Sequence, residues 1–208
     1  MKGLNKKLMK RIIKIAIISI VVIVVSFMYA HIDKKTYFYD KQESTGDYIG
    51  TGILVDKKLE QEFTTNENII DALSIKCATS GNIDNVTVNY SIIENSSGNE
   101  VSSGTIAGSD IEYNEFHVFQ IDHLDDTSGK KYTLEISQSG ADELNGISFY
   151  IGRKSDVDSQ LMINGNDTDG VIIARTLSHR FDIQTFIVLI LIILYIVVFF
   201  KFLYKLFR

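Results

Sequence analysis

The chain has 208 residues, and its 21 Lys and Arg face 26 Asp and Glu, which gives a net charge of −5. Every acid lies between Asp33 and Asp182, where only 12 Lys and Arg accompany them, so this middle region carries a net charge of −14. A region this acidic is repelled by phosphate backbones, and the composition therefore excludes nucleic-acid binding.

An apolar segment at residues 12–30 follows a basic N-terminus at residues 1–11. At about 1.5 Å per helical residue, the segment can cross most of a hydrocarbon layer of about 30 Å. Because basic flanks stay on the cytoplasmic side, the N-terminus is predicted to be cytoplasmic. The alternative is a cleaved signal peptide, which needs a small residue where the chain has Met28.

A second apolar segment at residues 183–200 contains no Asp, Glu, Lys, Arg or His. A basic, aromatic tail follows at residues 201–208. Aromatic rings beside Lys and Arg are typical of the membrane–water interface. The C-terminus is therefore also predicted to be cytoplasmic. Two crossings of the lipid bilayer then place residues 31–182 outside the cytoplasm in a cell-membrane protein.

The middle region is predicted to consist of β-strands. Residues 31–50 are expected to form a stalk or a first strand, and residues 51–182 an antiparallel β-sandwich. Four stretches alternate apolar and polar residues with the period of a half-buried strand. Their inward members are Leu73, Ile75 and Cys77; Val86, Val88, Tyr90 and Ile92; Tyr132, Leu134 and Ile136; and Ile147, Phe149 and Ile151.

Further strands are predicted from turn residues and short apolar runs. The turn at Asn95–Asn99 leads into a strand at residues 100–106. Residues 115–121 are apolar on both faces, which favours a central strand. Residues 161–163 and 171–176 are expected to pair as a terminal hairpin. Short strands separated by polar turns at this spacing indicate an all-β sandwich.

The single cysteine, Cys77, lies on the predicted inward face with Leu73 and Ile75. One cysteine forms no internal disulfide, so the domain is expected to depend on its hydrophobic core. A middle region of roughly 150 residues is long enough to bury such a core. Cys77 is therefore predicted to be a buried, inert thiol.

The order of these elements resembles the extracytoplasmic jelly-roll domains of bacterial membrane proteins involved in cell-surface glycan assembly, which are similar to carbohydrate-binding modules. The resemblance covers residues 59–176. It is carried by Glu60-Gln61-Glu62-Phe63, the strand at Ile75, the hairpin around Gly98, residues 116–121, the element Gly129-Lys130-Lys131-Tyr132-Thr133-Leu134-Glu135-Ile136, and the terminal hairpin. The resemblance implies a jelly roll and contact with envelope polysaccharide.

No catalytic motif accompanies this resemblance, so the protein is predicted not to be an enzyme. His31, His117, His123 and His179 show no metal-ligand spacing, and the sequence has no Gly-x-Ser-x-Gly element. No cofactor is expected. One alternative is a structural calcium held by Asp167 and Asp169 with oxygens from a distant loop. Asp156-Val157-Asp158 is similar to the metal-binding pair of some glycosyltransferases, without their α/β context.

Glycan binding on a sandwich uses an aromatic platform beside hydrogen-bonding side chains. The chain has no Trp, so Tyr90, Tyr113 and Tyr150 are considered as substitutes, with Tyr90 favoured as a core residue. Alternation places other polar side chains opposite the core. The candidate ligand contacts are Asn89, His117, Glu135, Tyr150 and Arg153.

The sequence therefore predicts a non-catalytic two-span membrane protein whose extracytoplasmic sandwich binds glycan or a partner protein in envelope polysaccharide assembly. One alternative is a membrane scaffold that makes protein contacts only. Another is a polysaccharide chain-length regulator, a class that shares the two-span layout but uses long extracytoplasmic helices and a Pro-rich second span. This sequence contains no Pro.

Overall fold

A computed structural model describes residues 6–153 and 159–207. In this part of the chain, one α-helix precedes and another follows a series of β-strands in sequence. The helices are α1 (Lys6–Tyr29) and α2 (Ile183–Leu206). The strands are β1 (His31–Tyr37), β2 (Ile49–Ile53), β3 (Leu59–Thr64), β4 (Ile69–Ser80), β5 (Thr87–Glu94), β6 (Asn99–Ala107), β7 (Phe116–Asp125), β8 (Lys131–Ser139), β9 (Gly146–Gly152), β10 (Leu161–Ile163), β11 (Asn166–Thr168), β12 (Val171–Ile172) and β13 (Ala174–Phe181).

The chain divides into two compact units. One comprises the described residues up to Asp33 and those from His179 onward, and the other is Lys34–Ser178. In the first unit, α1 and α2 are long and apolar enough to span a bilayer, with mean hydropathies of 2.7 and 3.1 over their apolar stretches. The Asp182 side chain caps α2 by accepting hydrogen bonds from the backbone N–H groups of Gln184 and Thr185.

The second unit consists of two largely antiparallel sheets. In one, the strand order is β1-β13-β4-β9-β12, with β2 paired to β9 and β7 paired to β4. In the other, the order is β11-β10-β3-β8-β5-β6. We call these the seven-stranded and the six-stranded sheet. Their strands alternate buried and less buried residues, so each sheet has one inward and one outward face.

One hydrophobic core lies between the two sheets and contains side chains from both. The inward residues predicted from alternation are buried on β4, β5, β8 and β9. Phe119 and Phe149, the largest fully buried side chains, belong to the seven-stranded sheet, and Leu134 and Ile136 belong to the six-stranded sheet. This arrangement has the layers of a β-sandwich.

A buried amide connects the two sheets near one edge. Gln61 on β3 is fully buried, and its Nε2 donates to the carbonyl oxygens of Glu62 at 2.8 Å and Gln160 at 3.1 Å. Its Oε1 accepts from the backbone N–H of Ile172 on β12, at 2.9 Å. The six-stranded and seven-stranded sheets are therefore joined by hydrogen bonds as well as by apolar packing.

The strand β7 corrects one prediction. Residues 115–121 were expected to form a central strand, but β7 pairs only with β4 among the strands of the described chain. Side chains of the six-stranded sheet bond its backbone instead. The Tyr90 hydroxyl donates to the carbonyl of Gln120, and Ser102 Oγ accepts from the N–H of Asp122 at 2.9 Å. Apolar residues occur on both faces of β7 because Phe116 on its outward face contacts the cations Lys76 and Arg175.

The predicted terminal hairpin is also wrong. Leu161–Ile163 pairs with Asn166–Thr168, a strand formed by the residues expected to be a loop. Val171 and Ile172 instead pair with Gly152 and Ile151 of β9 in the other sheet. The chain therefore crosses between sheets within a few residues, and a local pattern of apolar residues contains no information on that crossing.

The prediction for Cys77 is confirmed in its structural part, because the residue is fully buried in the core. Burial raises the pKa of its thiol to about 12, although the charge of neighbouring Lys76 acts in the opposite direction.

The thiolate is the reactive form, so a maleimide is expected to leave Cys77 unmodified in the folded protein and to modify it in denaturant. Mass spectrometry checks this against an S96C control, whose thiol lies in an exposed turn; labelling of native Cys77 at the control's rate would contradict it.

Candidate functional site

Two of the predicted ligand contacts share a depression on the outward face of the six-stranded sheet. Asn89 on β5 and Glu135 on β8 line a shallow space of about 410 Å³. The other lining side chains that face outward are mostly polar, among them Lys58, Ser91, Glu100, Ser103, Thr105 and Ser137. The structure thus brings Asn89 and Glu135 together, with no aromatic side chain facing them from this set.

The polar groups in this depression are already bonded to one another. Lys58 Nζ lies 2.5 Å from Glu135 Oε1 and 3.1 Å from Glu60 Oε1. Burial alone would lower the pKa of Lys58, but its hydrogen bonds to Glu135 and Glu60 outweigh burial and raise that pKa. Asn89 Nδ2 donates to Ser139 Oγ at 3.0 Å. A ligand would have to displace these contacts.

The predicted orientation of His117 is wrong. This residue was expected opposite the core, but it pairs with Ile75, which is fully buried. Directly paired residues of antiparallel strands project to the same face. His117 therefore lies on the inward side at the start of β7, half-buried, with its ring centre 5.9 Å from that of Phe119. Alternation misled here because β7 is apolar on both faces.

Arg153 lies at the end of β9 and contacts a buried carboxylate. Both oxygens of Glu43 accept from the Arg153 backbone N–H, at 3.2 and 3.0 Å, and Arg153 Nε lies 3.6 Å from Glu43 Oε1. Asp47 and Asp169 line the same depression of about 570 Å³.

Residues 6–153 and 159–207 contain no group of three or more His, Cys, Asp or Glu arranged to hold a metal ion. The calcium site stays a prediction, and Asp156-Val157-Asp158 lies outside the described residues.

Tyr150, the remaining predicted contact, belongs to a larger surface. It projects from the outward face of β9, between the inward Phe149 and Ile151. Aromatic and basic side chains adjoin it across the seven-stranded sheet. We define the aromatic–cation face as Tyr37, Tyr39, Tyr48, Lys76, Tyr113, Phe116, Tyr150 and Arg175. Five of the chain's ten tyrosines are in this set.

The rings of the aromatic–cation face form a continuous row. Successive ring centres are 5.3 Å apart for Tyr37 and Tyr39, 6.1 Å for Tyr39 and Tyr48, and 6.4 Å for Tyr48 and Tyr150. Tyr113 lies close enough to Tyr150 to contribute, after burial, to raising the pKa of the Tyr150 hydroxyl. Such edge and tilted contacts fix the rings in position. Tyr39 is only 7% exposed, so the half-buried Tyr37, Tyr48 and Tyr150 are the rings of this row that reach the surface.

Two cations, Lys76 and Arg175, connect the two ends of this row through the ring of Phe116. Lys76 Nζ lies 5.5 Å from the centre of the Phe116 ring and 5.6 Å from that of Tyr150. Arg175 Cζ lies 4.1 Å from the centre of Phe116 and 5.9 Å from that of Tyr37. Cation–π contacts of this kind contribute about 0.5–2 kcal/mol each. Phe116 is thus flanked by both charges, which explains why β7 has an apolar outward face.

Neither cation has an acidic partner in the described part of the chain. Lys76 is only 9% exposed, and its Nζ donates to the carbonyl of Asn114 at 2.7 Å. Arg175 Nε donates to Ser74 Oγ at 3.3 Å. No Asp or Glu among the described residues forms an ion pair with either side chain. By contrast, Lys34, Lys58, Lys130 and Lys131 each contact a carboxylate.

The tyrosine hydroxyls add no negative charge to this surface. Burial is the main cause that raises the pKa of Tyr39 to about 12, with a further contribution from Tyr48. Burial also raises the pKa of Tyr48 and of Tyr150. All three hydroxyls therefore remain protonated at neutral pH, where they donate and accept hydrogen bonds. The charges within the aromatic–cation face are therefore those of Lys76 and Arg175, and the Glu43 carboxylate lies near Tyr48 at its margin, where its charge also raises the pKa of Tyr48.

Sequence reasoning identified Tyr113 and Tyr150 but missed the rest of the aromatic–cation face. Its members lie between positions 37 and 175, and only the strand order of the seven-stranded sheet brings them together. Two signals existed in the sequence. Lys76 interrupts the apolar set around Ile75 and Cys77, and Phe116 adds an outward apolar residue to β7.

Comparison with known proteins gives distant likenesses only. No family model matches the chain, and no curated protein matches it. Among solved structures, a clostridial cysteine protease, Cwp84 after propeptide cleavage, is 11% identical with a TM-score of 0.39, over 71% of this chain and 40% of that one. The VP2 subviral particle of infectious bursal disease virus is 9% identical with a TM-score of 0.27, over 70% and 40%. The chain thus spans less than half the length of either neighbour, and the TM-scores are too low to inform function.

Proposed function

We propose that this protein is a non-catalytic, two-span membrane protein whose extracytoplasmic jelly-roll sandwich binds glycan in bacterial envelope polysaccharide assembly. The aromatic–cation face is the proposed binding surface. Both termini are placed in the cytoplasm because basic residues flank the two apolar helices on their outer ends. The acidic middle region, with a net charge of −14, then lies on the other side of the membrane.

The observation that carries this proposal is the row of tyrosines around Tyr150. Sugars present C–H groups on one face of the ring and hydroxyls at its edge. An aromatic surface packs against the former, and marginal hydroxyls bond the latter. The chain has no Trp for this purpose, but the half-buried Tyr37, Tyr48 and Tyr150 present rings on this face, with the buried Tyr39 packed between Tyr37 and Tyr48.

Protein contact is the second candidate function for the same surface. Tyr and Arg are enriched at the residues that contribute most to protein–protein binding, and Arg175 lies among tyrosines here. A scaffold of this kind would bind a partner polypeptide and no sugar. The two candidates are therefore separated by glycan binding itself.

Glycan binding is tested with the full-length protein in nanodiscs of zwitterionic lipid, applied to an array of neutral and acidic bacterial oligosaccharides and then titrated calorimetrically with those retained. Y150A is expected to weaken binding at least about tenfold, equivalent to about 1.4 kcal/mol, because it removes the ring between Tyr48 and Lys76.

The control for this experiment is L144A, which removes an apolar side chain that is 75% exposed on a loop. It is expected to bind as the wild type does. Retention of no oligosaccharide at about 1 mM would contradict glycan binding. Equal losses in Y150A and L144A would contradict the assignment to the aromatic–cation face.

A further inference from the structure

We propose that the aromatic–cation face is selective for acidic glycans that contain uronic acid residues. This inference rests on the proposed function and names the class of sugar that the surface takes. Arg175 would bind the sugar carboxylate and the nearby charge of Lys76 would stabilise it, while the neighbouring rings contact the C–H face of the same sugar residue.

The first argument is that no carboxylate of residues 6–153 or 159–207 forms an ion pair with the cations of this surface. Lys76 is 9% exposed and Arg175 is half-buried, and both lie over the ring of Phe116. A charge removed from water is unfavourable unless an opposite charge or hydrogen bonds offset the loss. One hydroxyl bonds the half-buried Arg175, so most of its donors remain available for an anion, and the buried Lys76, bonded to one carbonyl, adds a nearby positive charge.

The second argument is the contrast with the rest of the unit. Carboxylates are abundant there, with 26 acids against 12 cations between residues 33 and 182. Nevertheless, no described carboxylate is within ion-pair distance of Lys76 or Arg175. Acidic side chains elsewhere on the unit repel an anionic ligand, whereas Lys76 and Arg175 on the aromatic–cation face attract it.

The third argument selects a uronate over other anions. A uronic acid carries a carboxylate and an apolar pyranose face in one residue, which matches cations and rings that alternate over short distances. A poly(glycerol phosphate) chain has the charge without the ring face. A polyglutamate peptide likewise has carboxylates without a rigid ring for the tyrosines to contact. The planar guanidinium of Arg175 also matches the two oxygens of a carboxylate.

The experiment uses the full-length protein in zwitterionic nanodiscs and calorimetric titration with matched probes. The acidic probes are oligomers of galacturonate, of mannuronate and of glucuronate with N-acetylglucosamine. The neutral probe is the fully methyl-esterified galacturonate oligomer, which has the same rings without the charge. Poly(glycerol phosphate) and polyglutamate test the alternative anions. At least one uronate oligomer is expected to bind at least tenfold more tightly than every other probe.

Two variants assign the selectivity to the cations. R175Q and K76M each remove a charge and keep much of the side-chain volume, and each is expected to reduce the preference for the acidic over the esterified oligomer at least fivefold. K57Q is the matched control, because it removes one exposed positive charge in the turn between β2 and β3. Thermal melting of all variants verifies that they are folded, and K76M alone carries the test if R175Q is not.

The outcomes separate this inference from the proposed function. Equal binding of esterified and acidic oligomers, weakened by Y150A, would overturn the uronate preference and retain glycan binding. Tighter binding of poly(glycerol phosphate) or polyglutamate would overturn the choice of uronate. A selectivity loss in K57Q equal to that in R175Q would overturn the assignment to these cations. No binding by any carbohydrate would overturn both proposals.

Discussion

Replacing Gln61 with Met is expected to lower the free energy of unfolding by about 1–3 kcal/mol, although the side chains have similar size. The amide of Gln61 is fully buried and accepts from the N–H of Ile172, which is itself fully buried. In Q61M that N–H would lose its partner in a region without access to water. Thermal melting followed by circular dichroism in nanodiscs checks this, with a shift of about 2–4 °C expected for each kcal/mol.

The matched control for Q61M is Q120M, the same replacement at an exposed outward position of β7. It is expected to leave the melting temperature nearly unchanged. Q61E would keep the shape but place a carboxylate in the core beside two carbonyl oxygens, so it is expected to be less stable than Q61M. A Q61M protein that melts like the wild type would show that the amide does not join the sheets energetically.

The second prediction concerns membrane topology and has an all-or-none readout. In spheroplasts of a bacterial host expressing the protein, a membrane-impermeant maleimide is expected to label L144C, whose position is 75% exposed on the unit between the helices. The same reagent is expected to label F207C only after permeabilisation, because Lys201 and Lys205 favour a cytoplasmic C-terminus. An antibody to an N-terminal tag should likewise bind only after permeabilisation.

The native protein supplies the background for this experiment, because Cys77 is buried and its pKa is raised. Any signal from the unsubstituted chain would reveal unfolding. Labelling of F207C in intact spheroplasts, or protection of L144C, would reject the proposed orientation. Recovery of the protein in the soluble fraction without detergent would reject both membrane spans.

Much of the secondary structure could be predicted from the sequence, because the inward residues of β4, β5, β8 and β9 repeat with period two. The pairing of strands could not be predicted to the same extent. The seven-stranded sheet places β13 beside β4, about 100 residues earlier in the chain. Apolar patterning determines which face of a strand is buried, whereas its neighbour depends on contacts that are distant in sequence.

The candidate site was less predictable than the fold. Alternation correctly placed Asn89, Glu135 and Tyr150 on outward faces, but their roles as ligand contacts remain predictions. It failed for His117, since β7 is apolar on both faces. Lys76 and Arg175 were not considered at all. A lysine on a strand usually lies in solvent, and only the assembled sheet reveals that these two cations share one aromatic ring.

The side-chain bonds along β7 have a consequence for copies of this protein at high local concentration. An open strand of ten residues is a template to which a strand of another molecule can add. Here the Tyr90 hydroxyl occupies the carbonyl of Gln120, and Ser102 occupies the N–H of Asp122. A strand of another molecule would therefore find the Gln120 carbonyl and the Asp122 N–H already hydrogen-bonded. Removal of these two hydroxyls would free both backbone groups, so that strands of successive molecules could pair along β7.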